Sequence, residues 1–455
     1  MHFEFKQRVF VCNIAMIFVV IVSFFITNLR FSDKYPEFIA VLWFIFITIW
    51  LFILAFSYMH YKYELGIFLL SYFIKIFYFC YLIRGNDIQN PQLSDDASGF
   101  WRVANQYYEG NFSRVYTKLP YILNSEFQVF GANYFCCILV NIALSMITII
   151  ITANLLKKFS LSLKTNVVLL CLISLFPYSF ILSTSLWREP IYLLCLAASF
   201  TVFCNYIFTK KRNSFYISII LLMPVLFMHI GYFPIVIVYF YISFKIQKVK
   251  TKKEFIKILM QIIVLFLSCM IITGFDSVKY IVGSGSGGIE GALEKLTDDG
   301  AGASQAGSAY LTNIRVNTLG QVIMYAPLQW FYYSFSPLMT NWRGVSDIVT
   351  FFGDSLIHMY FYISSILICR RYKVYLGYKH TTLEKKYRII VTGILSVFLC
   401  GIIFGQGTST AGTAIRHRDV LLGIEIMTLG AALSLKNDLR YNNISNEADN
   451  NLSVG

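Results

Sequence analysis

Residues 37–57 read EFIAVLWFIFITIWLFILAFS, a run whose one charged residue stands at its first position. At about 1.5 Å of rise per residue, a helix of this length spans about 30 Å, the thickness of a bilayer's hydrocarbon core. It has no polar stripe with which to face water, so it reads as a membrane-crossing helix. Working outward, comparable runs lie near 9–28, 65–83, 134–154, 166–183, 190–208, 258–274, 352–368, 389–405 and 420–435. The first follows Lys6 and Arg8 and shows no small-residue cleavage site, which marks a retained anchor rather than a removed signal.

Composition agrees. Apolar residues make up 57% of the 455 and charged ones 14%, against about 25% charged in a soluble chain, so lipid must stand in for the missing polar surface. The 38 Lys+Arg outnumber the 24 Asp+Glu, yet they cluster in short loops between apolar runs. That is a topological signal, and no nucleic-acid partner is expected. Neither G-x-x-x-x-G-K-[ST] nor G-x-G-x-x-G occurs in the basic loops, which argues against ATP-driven work or a nucleotide-sugar donor on that side. The ten cysteines lie in or beside apolar runs with no C-x-x-C spacing, so neither a disulfide framework nor a zinc site is expected.

The stretch 216–245 fixes the topology. It is flanked by Lys210, Lys211 and Arg212 on one side and by Lys245, Lys248, Lys250, Lys252, Lys253 and Lys257 on the other. If both basic flanks are cytoplasmic, the stretch must turn back at His229-Ile230-Gly231-Tyr232-Phe233-Pro234, where Gly and Pro permit it. The expected fold is therefore all-α, a polytopic transmembrane protein of about 12 spans with both termini inside. Residues 319–339, holding Pro327 and Pro337, become a broken re-entrant or surface segment. The alternative keeps 216–245 as one long tilted helix and makes 319–339 a crossing, which weakens the inside bias of the basic residues.

The organisation that follows is three N-terminal membrane helices in 1–83, a first outer loop in 84–133, and a transmembrane core in 134–274. An outer Gly-rich loop and the re-entrant segment occupy 275–351, followed by three C-terminal helices in 352–435 and a cytoplasmic tail in 436–455. Long polar loops face outside, so the chemistry is expected on that side of the plasma or inner membrane.

Four elements there offer chemistry. Asp95 and Asp96 head an amphipathic stretch; adjacent carboxylates raise one another's pKa and suit a general base, though both also suit a helix N-cap. Arg188 and Glu189 precede Pro190 at a helix start, a favourable place for phosphate, or simply an arginine reaching to head groups. Arg416 and Arg418 in Arg-His-Arg-Asp stand on the side that the positive-inside bias disfavours, which points to a lipid phosphate, unless Asp419 neutralises one. His229 sits at the hairpin tip, and Arg315 follows the stretch 283–307, whose Gly, Ala and Ser suit a flap over an outer cavity. Charges within spans are few, mainly Lys75, Asp354 and Glu425, which favours an enzyme over a transporter.

The order of these features resembles the GT-C class of integral-membrane glycosyltransferases. Asp96, Phe100 and Ala104 match its Asp-x-x-x-Tyr/Phe-x-x-x-Ala pattern, Phe130-Gly131 its loop end, and Phe176-Pro177 with Ser185 to Pro190 its next break. The resemblance covers about residues 90–245, and in size and style the chain is most similar to bacterial O-antigen, capsule and exopolysaccharide repeat-unit polymerases. It departs from the pattern in three spans before the Asp loop, in Glu189 where Asp is commoner, and in the lack of a large outer domain. The resemblance implies a polyprenyl-(di)phosphate-linked glycan as substrate, with single-sugar transfer as the alternative and other polysaccharide-assembly proteins as partners. Asp96 would take the acceptor proton, Asp95 would orient it, and Arg188, Arg416 and Arg418 would hold the leaving phosphate, with no metal or other cofactor required. A flippase for lipid-linked glycans is the contrasting class.

Overall fold

The computed structural model describes residues 34–84, 95–111, 118–247, 309–311, 318–373 and 381–452, together with scattered positions before residue 25, between 87 and 91, and between 260 and 267. The span expected at 9–28 is described only in part, that at 258–274 falls largely outside this set, and Arg315 and the Gly-rich stretch 283–307 lie outside it altogether. Among the described residues the chain is helical, with no strand.

Along the chain run α1 (Pro36–Tyr58), α2 (Lys62–Leu82), α3 (Asp95–Tyr108), α4 (Leu119–Phe130), α5 (Tyr134–Leu156), α6 (Leu163–Leu175) and α7 (Pro177–Ser183). Next come α8 (Glu189–Thr209), α9 (Arg212–Met228), α10 (Phe233–Gln247) and α11 (Leu319–Phe335). The segment α12 comprises Val345–Thr350 and Leu356–Lys373, joined by a π turn at Phe351–Ser355; α13 (Thr381–Gln406), α14 (Ala411–Asp419) and α15 (Leu422–Leu452) complete the series. Among the described residues, seven stretches are long and apolar enough to cross a membrane: Pro36–Tyr58, Lys62–Leu82, Tyr134–Phe159, Glu189–Thr209, Ile230–Gln247, Val345–Tyr372 and Thr382–Gln406. Val41, Ile45 and Ile49 stand exposed in a row along α1, a stripe that lipid would cover.

Local chemistry sets the ends of these helices. Pro36 opens α1, Thr318 and Gln321 close a reciprocal capping box on α11, and Gly131, at φ 73°, terminates α4 in the left-handed region. Two expectations need correction. The run 166–183 is two helices, because Pro177 holds Phe176 extended and starts a new turn. Conversely, α11 runs unbroken through Pro327 and ends before Pro337.

The chain forms two compact units. The first comprises Met1–Asn154 and Leu170–Leu194, the second Leu155–Leu169 and Cys195–Gly455. In the first, the Asn133 amide donates to Pro36 O at 2.8 Å, and Trp43 meets Phe130 edge-on at 5.4 Å. Lys75 is wholly buried, with Nζ donating to Ser145 Oγ at 2.5 Å. The helix α3 packs on α4 through Trp101 against Phe127 (4.8 Å) and Tyr107 against Tyr121 (5.0 Å), which leaves Arg102 and Gln106 outward.

In the second unit the hairpin is explicit. Residues 215 and 240 would stand about 37 Å apart in one helix, yet the rings of Phe215 and Phe240 are 5.1 Å apart. Ser199 Oγ bonds Ser218 O at 2.7 Å and lies 3.4 Å from the Tyr239 hydroxyl, so both arms flank α8. The single long helix is thereby excluded. At the tip, Gly231 is required because a Cβ would sit 2.9 Å from the Phe404 ring. The core of this unit is α15, buried without a break from residue 422 to 432. Small residues bring its neighbours close: Gly393 of α13 lies against Thr428, and Gly405 against the backbone of Gln329 on α11.

Candidate functional site

In the first unit, Asp95 and Asp96 form the opening turn of α3, the position a capping or catalytic carboxylate would occupy. One turn on, Phe100 lies edge-on to Trp187 at 6.4 Å, which brings the head of α3 to the segment carrying Arg188. That segment is fastened by Asn141, whose Nδ2 donates to Ser185 O (2.9 Å) and Trp187 O (3.1 Å). Arg188 Nε stands 3.9 Å from Glu189 Oε1, and its guanidinium lies over the Tyr192 ring at 5.7 Å. Glu189 is buried while Arg188 keeps 15% of its side chain exposed, so the arginine is the accessible member. In the same unit, burial pushes the Glu126 carboxyl up to about 8, against the pull of a hydrogen bond with Cys137.

In the second unit, His229 at the hairpin tip meets α14. Its ring is 5.4 Å from that of His417 and 4.9 Å from Phe404, on which His417 stacks at 4.8 Å. Arg416, next to His417, is half-buried. The segment leaving the Gly-rich stretch is fastened here too: Tyr310 N donates to Ser409 O (2.9 Å) and its hydroxyl to Thr408 O (3.0 Å), just before Thr410 caps α14.

Beneath α14 lies a buried polar network. His358 is its hub: Nδ1 is 2.7 Å from Glu425 Oε2, and Nε2 is 3.0 Å from Asp354 Oδ1 and 3.4 Å from Asp419 Oδ1. Arg418 forms an ion pair with Asp354 and donates to Tyr333 O (3.2 Å) and Ser355 Oγ (3.1 Å). Ser355 Oγ passes the chain on to Ser336 O at 2.9 Å. All five charged or titratable members are at most 2% exposed. Asp354 sits on the π turn, and such turns, which swing a side chain out of the regular helical register, are frequent at functional sites.

The sequence-expected residues thus divide between the units: Asp95, Asp96, Arg188 and Glu189 in the first, His229, Arg416 and Arg418 in the second. Arg418, expected to face a lipid phosphate, instead turns inward to Asp354. It is this acid from α12, rather than the adjacent Asp419, that meets the guanidinium. A buried guanidinium cannot remain without a counter-charge, and α12 supplies the nearest one. Sequence reading missed His358, although the four-residue step from Asp354 to His358, which puts both on one helix face, was a usable signal. Comparison with protein-family models, curated proteins and solved structures gave no match.

Proposed function

We propose that the protein is a GT-C-like membrane glycosyltransferase that works at the outer face on polyprenyl-(di)phosphate-linked sugars, as a surface-polysaccharide polymerase. The observation that carries the reading is the gathering, around α14, of His229 from the hairpin tip, His417, Arg416 and the strap at residues 309–311. In the sequence these groups are up to about 190 positions apart, and a guanidinium and imidazoles gathered from distant segments beside the last turn of α14 suit a phosphate-bearing substrate.

In this reading Arg188, in the unit that carries Asp96, holds the departing phosphate, where negative charge grows as the glycosidic bond breaks, and Arg416 binds phosphate within the second unit. Asp96 accepts the proton of the incoming hydroxyl, and the attacking oxygen joins the anomeric carbon as the phosphate oxygen leaves with its electron pair. Arg418 acts indirectly, fixing the end of α14 and hence the station of Arg416. The twelve crossings and the outward-facing cleft belong to the same proposal.

The test is transfer by membranes containing the full chain, given a lipid-linked donor, with product length separating polymerisation from addition of one sugar. Asp96→Ala abolishes transfer while the protein still inserts; undiminished glycan from that variant refutes the assignment. One observation favours a second reading. The buried network on apolar α12 and α15 is what an ion-coupled flippase would line its path with. A flippase predicts that loss of the protein strands carrier-linked glycan on the inner leaflet, whereas loss of a polymerase leaves single repeat units outside.

A further inference from the structure

We propose that Asp354, His358 and Asp419 bind one divalent metal cation within the second unit, with Glu425 fixing His358 from behind. This inference is independent of the glycosyl-transfer reading. The donor set is an imidazole nitrogen with two carboxylates, a mixture that Zn²⁺ and Mn²⁺ accept. One ligand atom from each residue falls within 4.8 Å of the others. Metal–ligand bonds of about 2.0–2.2 Å place neighbouring ligands about 2.8–3.6 Å apart across octahedral to tetrahedral angles, a range that holds both distances from His358 Nε2, 3.0 and 3.4 Å.

Three further observations converge on the same point. Glu425 Oε2, 2.7 Å from His358 Nδ1, takes the hydrogen of that nitrogen, which leaves the Nε2 lone pair directed at the two aspartates. This is the carboxylate–histidine–metal arrangement, in which the outer acid sets the tautomer and raises the basicity of the ligand. Asp419 is 1% exposed, and its Oδ2 meets no hydrogen-bond donor among the described residues, an oxygen still owed a partner. Composition supplies the third: three acids, Asp354, Asp419 and Glu425, gather around the single guanidinium of Arg418, and a buried excess of acids over bases is what a bound cation relieves. Arg418 occupies the far side of the Asp354 carboxylate and so neutralises it without blocking Oδ1.

The experiment uses the full chain purified in detergent. Metal content is measured by mass spectrometry after equilibration with Zn²⁺, and Mn²⁺ binding is followed by electron paramagnetic resonance, with and without a chelator. Wild type is expected to hold about one equivalent per chain, and chelation is expected to lower its thermal midpoint. His358→Gln and Asp419→Asn lose the metal, while Glu425→Gln weakens binding by roughly 10- to 100-fold. Folded wild type that binds neither ion overturns the proposal, as does stoichiometric binding that persists unchanged in both ligand variants. Should the ligand variants fail to fold, the wild-type metal content and the graded Glu425→Gln effect decide it. Because no readout is glycan transfer, failure here leaves the enzymatic reading standing, and failure of transfer leaves this one standing.

Discussion

Two arginines at helix ends, Arg188 before α8 and Arg418 closing α14, have each been given an acid and put to different uses. Arg188 is partly open and stands 3.9 Å from its sequence neighbour Glu189, whereas Arg418 is buried and reaches Asp354 on another helix. The first pair uses the charge locally and keeps 15% of the arginine side chain open to the surroundings. The second spends its donors on a carboxylate, a carbonyl and a hydroxyl. Burial, not residue type or position on the helix, is what separates the two arginines.

The largest effect should come from breaking the buried pair. Asp354→Ala or Arg418→Ala leaves a buried charge uncompensated, at a cost of about 3–5 kcal/mol, read as loss of monodisperse protein in detergent. Replacing both with apolar residues of similar volume should restore much of the yield. Equal damage from the double and single variants would show that the pair does more than compensate charge.

At the open pair the expectation reverses. Arg188→Ala should reduce glycan transfer by roughly 10²- to 10³-fold with an unchanged melting point, and Lys at that position should recover only part, since it lacks the planar fork. A fall in stability instead would move Arg188 into the structural class with Arg418.

A smaller effect separates burial from pairing at Glu126. Its folded pKa of about 8 lies above the ordinary 4.5, so the fold accepts the protonated form. Its contribution is therefore complete below about 4.5 and is lost as pH rises through about 8. Thermal midpoints of wild type should fall across that window, and Glu126→Gln should flatten the slope. The smallest change is expected at the exposed pair of Arg388 with Glu384, 2.5 Å apart on α13: Glu384→Ala should cost no more than about 0.5 kcal/mol by thermal melting.

Much of the helical scaffold was legible because its signals are local. The run at 37–57 became α1 with Pro36 at its start, and the Gly and Pro of 229–234 marked a turn that the Phe215–Phe240 contact makes geometric. Pro327 misled because the sequence shows a missing amide but not the closely packed neighbour, with Gly405 of α13 against Gln329, that holds the helix together across it. The amphipathic reading of α3 survived for a local reason as well: Ala97, Trp101, Ala104 and Tyr107 recur at helical spacing and are all buried.

By itself the sequence determined a helical, lipid-adapted chain, the turn at the hairpin and the heads of α3 and α8, since composition, helical period and the backbone limits of Gly and Pro act over a few residues. Only the tertiary structure decided that Arg418 faces Asp354, that His358 gathers three acids, and that His229 meets His417. Those partners lie between 61 and 188 positions apart, except for the single helical turn from Asp354 to His358. No local pattern encodes such pairings; they follow from which helices close-pack and from the need of each buried charge for a counter-charge.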